Sequence, residues 1–329
     1  MRKHSLRQLI QALNGNRRFL ITTHVNPDPD ALCSQLAMAA FLRSIGKRVF
    51  SINEQDLPER FHFLPGSHRI RPFRNEPKIA FDAAVIIDCG DLDRIGSVQK
   101  LIKDKHTIIN IDHHVTNHIF GDINYVRTSA SSTAEMIYGI LHKARFAFDH
   151  DVALLLYVGI LTDTGSFRYE NTTAHTHRVV SRLIPYGFSV SDLYSRLYES
   201  IPLHDLEIFT RVVNTFEPLY QGRVIYLELH KKIVQKFSKE FDLRDKIFRY
   251  LRAIKGVEVI VILTEMTTRQ TRVNFRSQGS FDVAPIAFHF NGGGHRRASG
   301  CIVQQPLAQT RQQVLTEIKK ALGKVKRRG

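Results

Sequence analysis

Along the first half of the chain, short apolar runs alternate with longer segments of helical composition. Arg18 to Thr23 is a β-branched run, and the stretch that follows, His24 to Asp30, holds Pro27 and Pro29 and must be a loop. Residues 31–45 predict a helix, with Gly46 suited to its end, and residues 47–52 predict another strand. Residues 83–87 and 107–111 are continuous apolar runs, the pattern of strands covered on both faces. One run ends at Asp88 and the other at Asp112-His113-His114. Helices are expected over 132–143 and 151–161. Strand and helix in alternation predict an α/β fold: a mostly parallel sheet with helices on both faces.

Past residue 185 the pattern breaks around Pro185 and Pro202. Strands are then expected over 223–229, 257–263 and 271–275, with a helix near 239–254. The expected organisation is a catalytic domain over 1–186, a helical linker over 187–205, and a smaller α/β C-terminal domain over 206–329. No internal repeat is visible. At 329 residues and 24% charged, each domain can bury a core without disulfide or zinc staples.

The three cysteines, Cys33, Cys89 and Cys301, form no C-x-x-C pair. That excludes a disulfide framework or cysteine-rich zinc module and favours a reducing cytoplasm. The longest apolar run, residues 152–161, is too short to span a bilayer, and no signal peptide is read at the N-terminus, so a soluble cytoplasmic protein without a membrane partner is expected. A net charge of +16 favours polyanions such as nucleotides, RNA ends or DNA, although such a surplus can also serve solubility alone. Part of it lies in the tail, Lys319 to Arg328, which is expected to be frayed.

The polar clusters all fall at strand ends. His24, Asp28 and Asp30 follow the first strand, Asp88 ends the second apolar run, and Asp112, His113 and His114 end the third. Asp163, at the end of an expected helix, is a fourth candidate for the same mouth. In open parallel sheets, ligands bind just beyond the carboxyl ends of the strands. A single aspartate there is usually a cap or turn residue, but converging carboxylates need positive charge among them. Aspartates with histidines and no thiolates suit Mn2+ or Mg2+, with Zn2+ open. The acids outnumber the needs of one ion; two ions about 3.5–4 Å apart can clamp a phosphoryl group and acidify a water.

Near the C-terminus, Gly292-Gly293-Gly294 reads either as a flexible turn or as backbone able to cradle a phosphate. His295 beside it, and Arg276 at an upstream strand end, favour the anion clamp. Phe167 is equally a base-stacking or a core residue.

Together, His24-x-x-Pro27-Asp28-x-Asp30-Ala31, Asp88, Asp112-His113-His114 and Thr162-Asp163-Thr164-Gly165 resemble the DHH phosphoesterase superfamily. Gly292-Gly293-Gly294-His295-x-x-Ala298-Ser299-Gly300 resembles the signature of its associated C-terminal domain, and the Asn274-Phe275-Arg276-Ser277 segment fits the bifunctional oligoribonuclease/pAp phosphatase (nanoRNase) type. The resemblance spans nearly the whole chain. It departs at Cys33, where many relatives carry glycine; a small buried thiol there should leave the helix start intact.

The resemblance implies one metal held by His24, Asp28 and Asp88 and a second by Asp30, Asp88, His113 and Asp163, with Asp88 bridging. It implies Mn2+ before Mg2+, Asp112 orienting a ligand histidine, and His114 reaching the scissile phosphate. Arg276, Gly293, Gly294, His295 and Ser299 would grip the rest of the substrate across a cleft. The implied reactions are hydrolysis of short oligonucleotides to 5′-mononucleotides and removal of the 3′-phosphate of a nucleotide 3′,5′-bisphosphate, pAp. Phosphodiesterase action on cyclic dinucleotides or pApA is the alternative within this chemistry. A non-catalytic nucleic-acid-binding module is the alternative outside it, and the sequence leaves a homo-oligomer open.

Overall fold

The computed structural model describes residues 3–74, 79–238, 241 and 243–325. Two compact units divide the chain between Glu199 and Ser200.

In the first unit, strands β1 (Arg18–Thr23), β2 (Arg48–Asn53), β3 (Ile70–Pro72), β4 (Ala83–Ile87), β5 (Thr107–Asp112) and β6 (Ile123–Val126) form one sheet in the order β3-β2-β1-β4-β5-β6. Every pairing is parallel. The order reverses direction between β1 and β4, so the switch point of this doubly wound sheet lies between the strands that end in His24 and Asp88.

One face is covered by helices α1 (Leu6–Gly15), α2 (Pro29–Ser44), α3 (Thr133–Lys143), α4 (His150–Asp163), α5 (Ala174–Leu183) and α6 (Val190–Tyr198). α2 and α4 are buried almost all round, which explains why residues 152–161 read as an unbroken apolar run: α4 is a central helix with no solvent-facing stripe in its middle. The opposite face departs from the expected layer of full helices. There Leu20, Ala84 and Ile86 pack on Ile95 and Val98, from a kinked 3-10 segment, Leu92–Leu101.

The second unit carries helices α7 (Leu203–Val213), α8 (Lys231–Val234), α9 (Leu243–Leu251), α10 (Ala284–His289) and α11 (Leu307–Val325). Its sheet consists of β7 (Glu217–Leu219), β8 (Val224–Leu229), β9 (Val259–Thr267), β10 (Gln270–Ser277), β11 (Gly293–His295) and β12 (Ala298–Val303), ordered β11-β12-β10-β9-β8-β7. The sheet is mixed: β8 and β9 run parallel and the other pairs antiparallel. Val261, Val273 and Phe275 face α10 and α11, while Ile260 and Ile262 face α7 and α9.

The basic tail is helical further than expected. Val314, Ile318 and Leu322 recur at helical spacing and are buried on α11, so Lys319 and Lys320 ride the outer face of an ordered helix. Lys326, Arg327 and Arg328 of that tail, and Lys239 of the expected 239–254 helix, lie outside the described residues. No helix among the described residues is long and apolar enough to cross a membrane.

Candidate active site

The strand register assembles the acidic mouth. Thr23 pairs with Ile87, and Ile87 with Ile111, so His24, Asp88 and Asp112, the next residue on each strand, emerge at one level. Asp88 leaves its strand at φ +55°, a left-handed conformation that a non-glycine residue adopts at a cost. Its amide donates to Ile111 O at 2.9 Å, which holds the turn.

The other ligands come from helix ends. Asp28 is the N-cap of α2: its Oδ1 accepts from Ala31 N at 3.0 Å, and Pro29 occupies the first helical turn. Asp28 is thus both the cap that its position suggests and a member of the cluster. Asp30, the second residue of α2, is 1% exposed. Its two oxygens accept from Thr133 N (2.8 Å) and Ala134 N (2.9 Å), so it occupies the positive N-terminus of α3. Asp163 is the last residue of α4.

Among the described residues, three groups of side chains stand close enough to share a cation: His24, Asp28 and Asp88; Asp30, His113 and Asp163; and Asp88, His113 and His114. Asp88 and His113 each belong to two groups and so join the set. His24 Nε2 lies 3.8 Å from Asp88 Oδ2, and His113 Nε2 lies 3.7 Å from Asp88 Oδ1 and 3.5 Å from Asp163 Oδ2. These separations are long for hydrogen bonds. They approach the spacing of neighbouring ligands on one ion, about 3 Å when each bond is near 2.1 Å. The remaining nitrogens agree: Nδ1 of His24 sits 2.9 Å from Val25 O and that of His113 3.4 Å from Ala130 O, leaving both Nε2 atoms toward the carboxylates. The donor set, aspartates and imidazoles with Cys33 and Cys89 buried and unpaired nearby, fits hard to borderline divalent ions.

The crowding of buried acids shifts the groups around the mouth. Burial first, then Asp88 and Asp163, push the Asp30 carboxyl well above its usual range. Burial likewise carries Asp163 up to about 7. For His113, burial opposes the charged ring, but Asp163, Asp88 and Asp30 together outweigh it and raise the imidazole to about 9.

Asp112 is fully buried and, among the described residues, belongs to none of these groups itself. Its Oδ1 lies 2.7 Å from His114 Nδ1 and its Oδ2 accepts from Asn117 Nδ2 at 2.6 Å. Burial disfavours its charge, yet the bond and charge of His114, with Asn117, hold it below the ordinary carboxylate range. The histidine it orients is therefore His114, one of the imidazoles that stand within ligand reach. His114 itself is raised: burial opposes it, and Asp112 and Asp88 prevail.

Several residues around the mouth escaped the sequence reading. Thr133 Oγ1 donates to Asp88 Oδ1 at 2.7 Å, and Asn171 Nδ2 reaches Ser131 O at 2.7 Å and Asp163 O at 3.1 Å. Gly159 is where α4 passes closest to Asp30 and Ala134. The one available signal was Ser132-x-x-Glu135, a helix-start pattern; Ser132 does cap α3. Asn117, Asn171 and Gly159 carried none. Phe167 is half-buried against the core between Tyr157 and His177, so packing accounts for it.

In the second unit, Arg276 pairs with Ala298 and Ala298 with His295, so Arg276 and His295 share one face of the sheet two strands apart. The Arg276 guanidinium lies 4.8 Å from the Phe248 ring centre. Ser299 falls on the other face. It is 4% exposed and its hydroxyl donates to His295 O at 2.7 Å, which makes it a brace of the hairpin. Gly293 and Gly294 lie in the edge strand β11, and Gly292 just precedes it. A Cβ on Gly292 would sit 2.3 Å from Gly300 O, and one on Gly294, at φ +134°, 2.5 Å from Ala298 O. Gly293 has only Phe288 Cε1, at 3.7 Å, so its lack of a side chain has no such internal cause.

Comparison with known proteins accords with these two halves. The N-terminal domain of the DHH family matches residues 18–160, and the DHHA1 domain matches residues 221–324. The chain belongs to the DHH phosphoesterase family, a class of metal-dependent hydrolases. Within it, the chain is 30% identical over 305 residues to the bifunctional oligoribonuclease and PAP phosphatase NrnA of Bacillus subtilis, covering 90% of this chain and 92% of that one. It is 29% identical over 317 residues to the protein of the same name from Thermus thermophilus, covering 96% and 93%. Among solved structures, an exopolyphosphatase-related protein from Bacteroides fragilis has the same fold, with TM-score 0.85 at 24% identity over 97% of this chain and 95% of that one.

Proposed function

We propose that this phosphoesterase hydrolyses short oligonucleotides to 5′-mononucleotides and removes the 3′-phosphate of pAp, using two divalent ions, Mn2+ foremost. The observation that carries the reading is the overlap of the ligand groups through Asp88 and His113. The names of the Bacillus and Thermus relatives support the choice of substrates.

His24, Asp28 and Asp88 would hold one ion, and Asp30, Asp88, His113 and Asp163 the other. When bound, such ions acidify a water and offset charge on the phosphoryl oxygens. The chain's own part is to hold these ligands and to manage protons. Thr133 fixes Asp88, the α3 amides fix Asp30, and Asn171 fixes the end of α4 beside Asp163. With His114 Nδ1–H donated to Asp112, its Nε2 is the atom to hold a proton against a phosphate oxygen. That bond is also the reason to place His114 on the substrate although it stands within ligand reach. Arg276, His295 and the backbone at Gly293 and Gly294 would grip the remaining phosphates or base, with Ser299 shaping their hairpin. Three buried, unpaired cysteines support a cytoplasmic setting.

A panel of pAp, di- to pentanucleotides, pApA and a cyclic dinucleotide, each with Mn2+ or Mg2+, tests the reading. Mononucleotide release from the short RNAs and phosphate release from pAp are expected, both abolished in Asp88→Ala. Turnover confined to the cyclic dinucleotide, or normal activity in Asp88→Ala, would overturn it.

A further inference from the structure

A cavity of about 540 Å³ opens at the edge of the first sheet, between the last turn of α2 and strands β2 and β3. At 1.5 Å per residue, Arg43 in its wall lies about 20 Å further along α2 than Asp30, so the cavity is remote from the acidic mouth. Its charge is the opposite of the mouth's. Arg43, Arg48, His68, Arg69 and Arg71 line it, and no carboxylate does among the described residues.

None of these four guanidinium groups has an acidic partner among the described residues. Burial, and after it the charge of Arg69, pull Arg43 below its ordinary value, which records the close approach of the two cations. Like charges gathered with no counter-charge are held apart only at a cost, and an anion relieves it.

A second observation, independent of charge, points the same way. Ser51 lines the cavity and is 3% exposed, and its Oγ has no hydrogen-bond partner among the described residues. Buried hydroxyls are normally satisfied, and an orphaned one in a cavity wall calls for a ligand atom. The sheet edge is open here as well. β3 pairs with β2 only from Ser51 to Asn53, so no strand covers the outer edge of Arg48 to Phe50 among the described residues.

The geometry points to a second anion site that binds a small ligand carrying two or more phosphate groups, of the nucleoside polyphosphate class, apart from the site of hydrolysis. Four guanidinium forks suit adjacent phosphates better than a single carboxylate. The volume is that of a small-molecule site and does not admit a strand of several nucleotides. Phe50, with the Arg48 guanidinium 5.0 Å from its ring centre, provides an aromatic wall beside the phosphates.

Calorimetric titration of the full chain in excess EDTA removes the mouth as a competitor, because the metal-free mouth is acidic and repels phosphates, and Arg276→Ala removes the anion clamp of the second unit. ATP and inorganic tripolyphosphate are the two probes. Saturable binding is expected, weakened at least tenfold in Arg69→Glu/Arg71→Glu, two exposed positions, and in Arg48→Ala, while Arg276→Ala leaves it intact. Equal binding of both probes assigns recognition to the phosphates alone, and tighter ATP adds the base; either outcome supports the site. The double variant should keep its melting temperature and its Mn2+-dependent turnover of a dinucleotide. No saturable binding by the unmodified chain, or binding undiminished in the double variant, would overturn the proposal.

Discussion

Gly159→Ala is the sharpest probe of how the mouth is held. Alanine is the better helix former by about 1 kcal/mol, so propensity alone makes this change stabilising. The structure reverses the sign. A Cβ at Gly159 would lie 2.5 Å from Ala134 Cβ and 2.8 Å from Asp30 Oδ1, where apolar contacts settle near 3.5–4.0 Å. The Ala134 methyl has no rotamer to escape into, so α4 must retreat from α3 by roughly 1 Å. Overpacking of this kind costs about 1–3 kcal/mol. It also presses on a buried carboxylate whose two hydrogen bonds are made to the same α3 backbone. The net expectation is a loss of up to about 2 kcal/mol, or a melting temperature lower by up to roughly 8 °C for a unit of this size. Dinucleotide turnover should fall by ten- to a hundredfold, because a ligand misplaced by about 1 Å costs that much. Gly139→Ala is the matched control: it lies in α3 with nothing within 4 Å of where its Cβ would stand, so the same exchange should stabilise by up to about 1 kcal/mol. Circular-dichroism melts and a Mn2+-dependent assay read both. A Gly159→Ala protein that melts higher and turns over normally would refute the close helix approach.

Other substitutions separate positioning from ligation. Thr133→Val keeps the shape but removes the donor to Asp88, and calorimetry should find Mn2+ binding weakened roughly 10–100-fold with little change in helix content. Asp112→Asn should leave KM near normal and lower kcat about a hundredfold, since it disturbs the imidazole of His114 and no ligand; an equal loss from a raised KM would contradict that role. Metal binding should also release protons. Near pH 7 the metal-free protein holds a proton on His113, raised to about 9, and a partial one on Asp163, raised to about 7. Ligation requires both to be free, so apparent affinity should climb from pH 6 to pH 9, and titration in buffers of different ionisation enthalpy should count about one to two protons released near neutrality.

The parallel sheet and its acids were legible because fully covered strands are apolar throughout and stop abruptly at Asp88 and Asp112. The level at which those residues emerge was not legible, since register is set by pairing between distant segments. Asp30 showed in the sequence as one acid in a motif; that it sits on the amides of α3, about a hundred residues on, follows only from the packing of α2, α3 and α4. The 3-10 cover, Leu92–Leu101, gave no helical signal because Gly96 breaks it at φ +64°. Gly293–His295 gave no strand signal because glycine lacks the side chain through which strands are usually stabilised. α11 was masked by the lysines flanking its apolar stripe.

The hairpin of β11 and β12 sets different terms of survival for three adjacent glycines. Gly292 and Gly294 are obliged by the backbone they touch, whatever the molecule does for a living. A descendant that had shed its acidic mouth would still keep those two and let Gly293 drift, so the middle letter of the triplet is the one that distinguishes a working lineage from a retired scaffold.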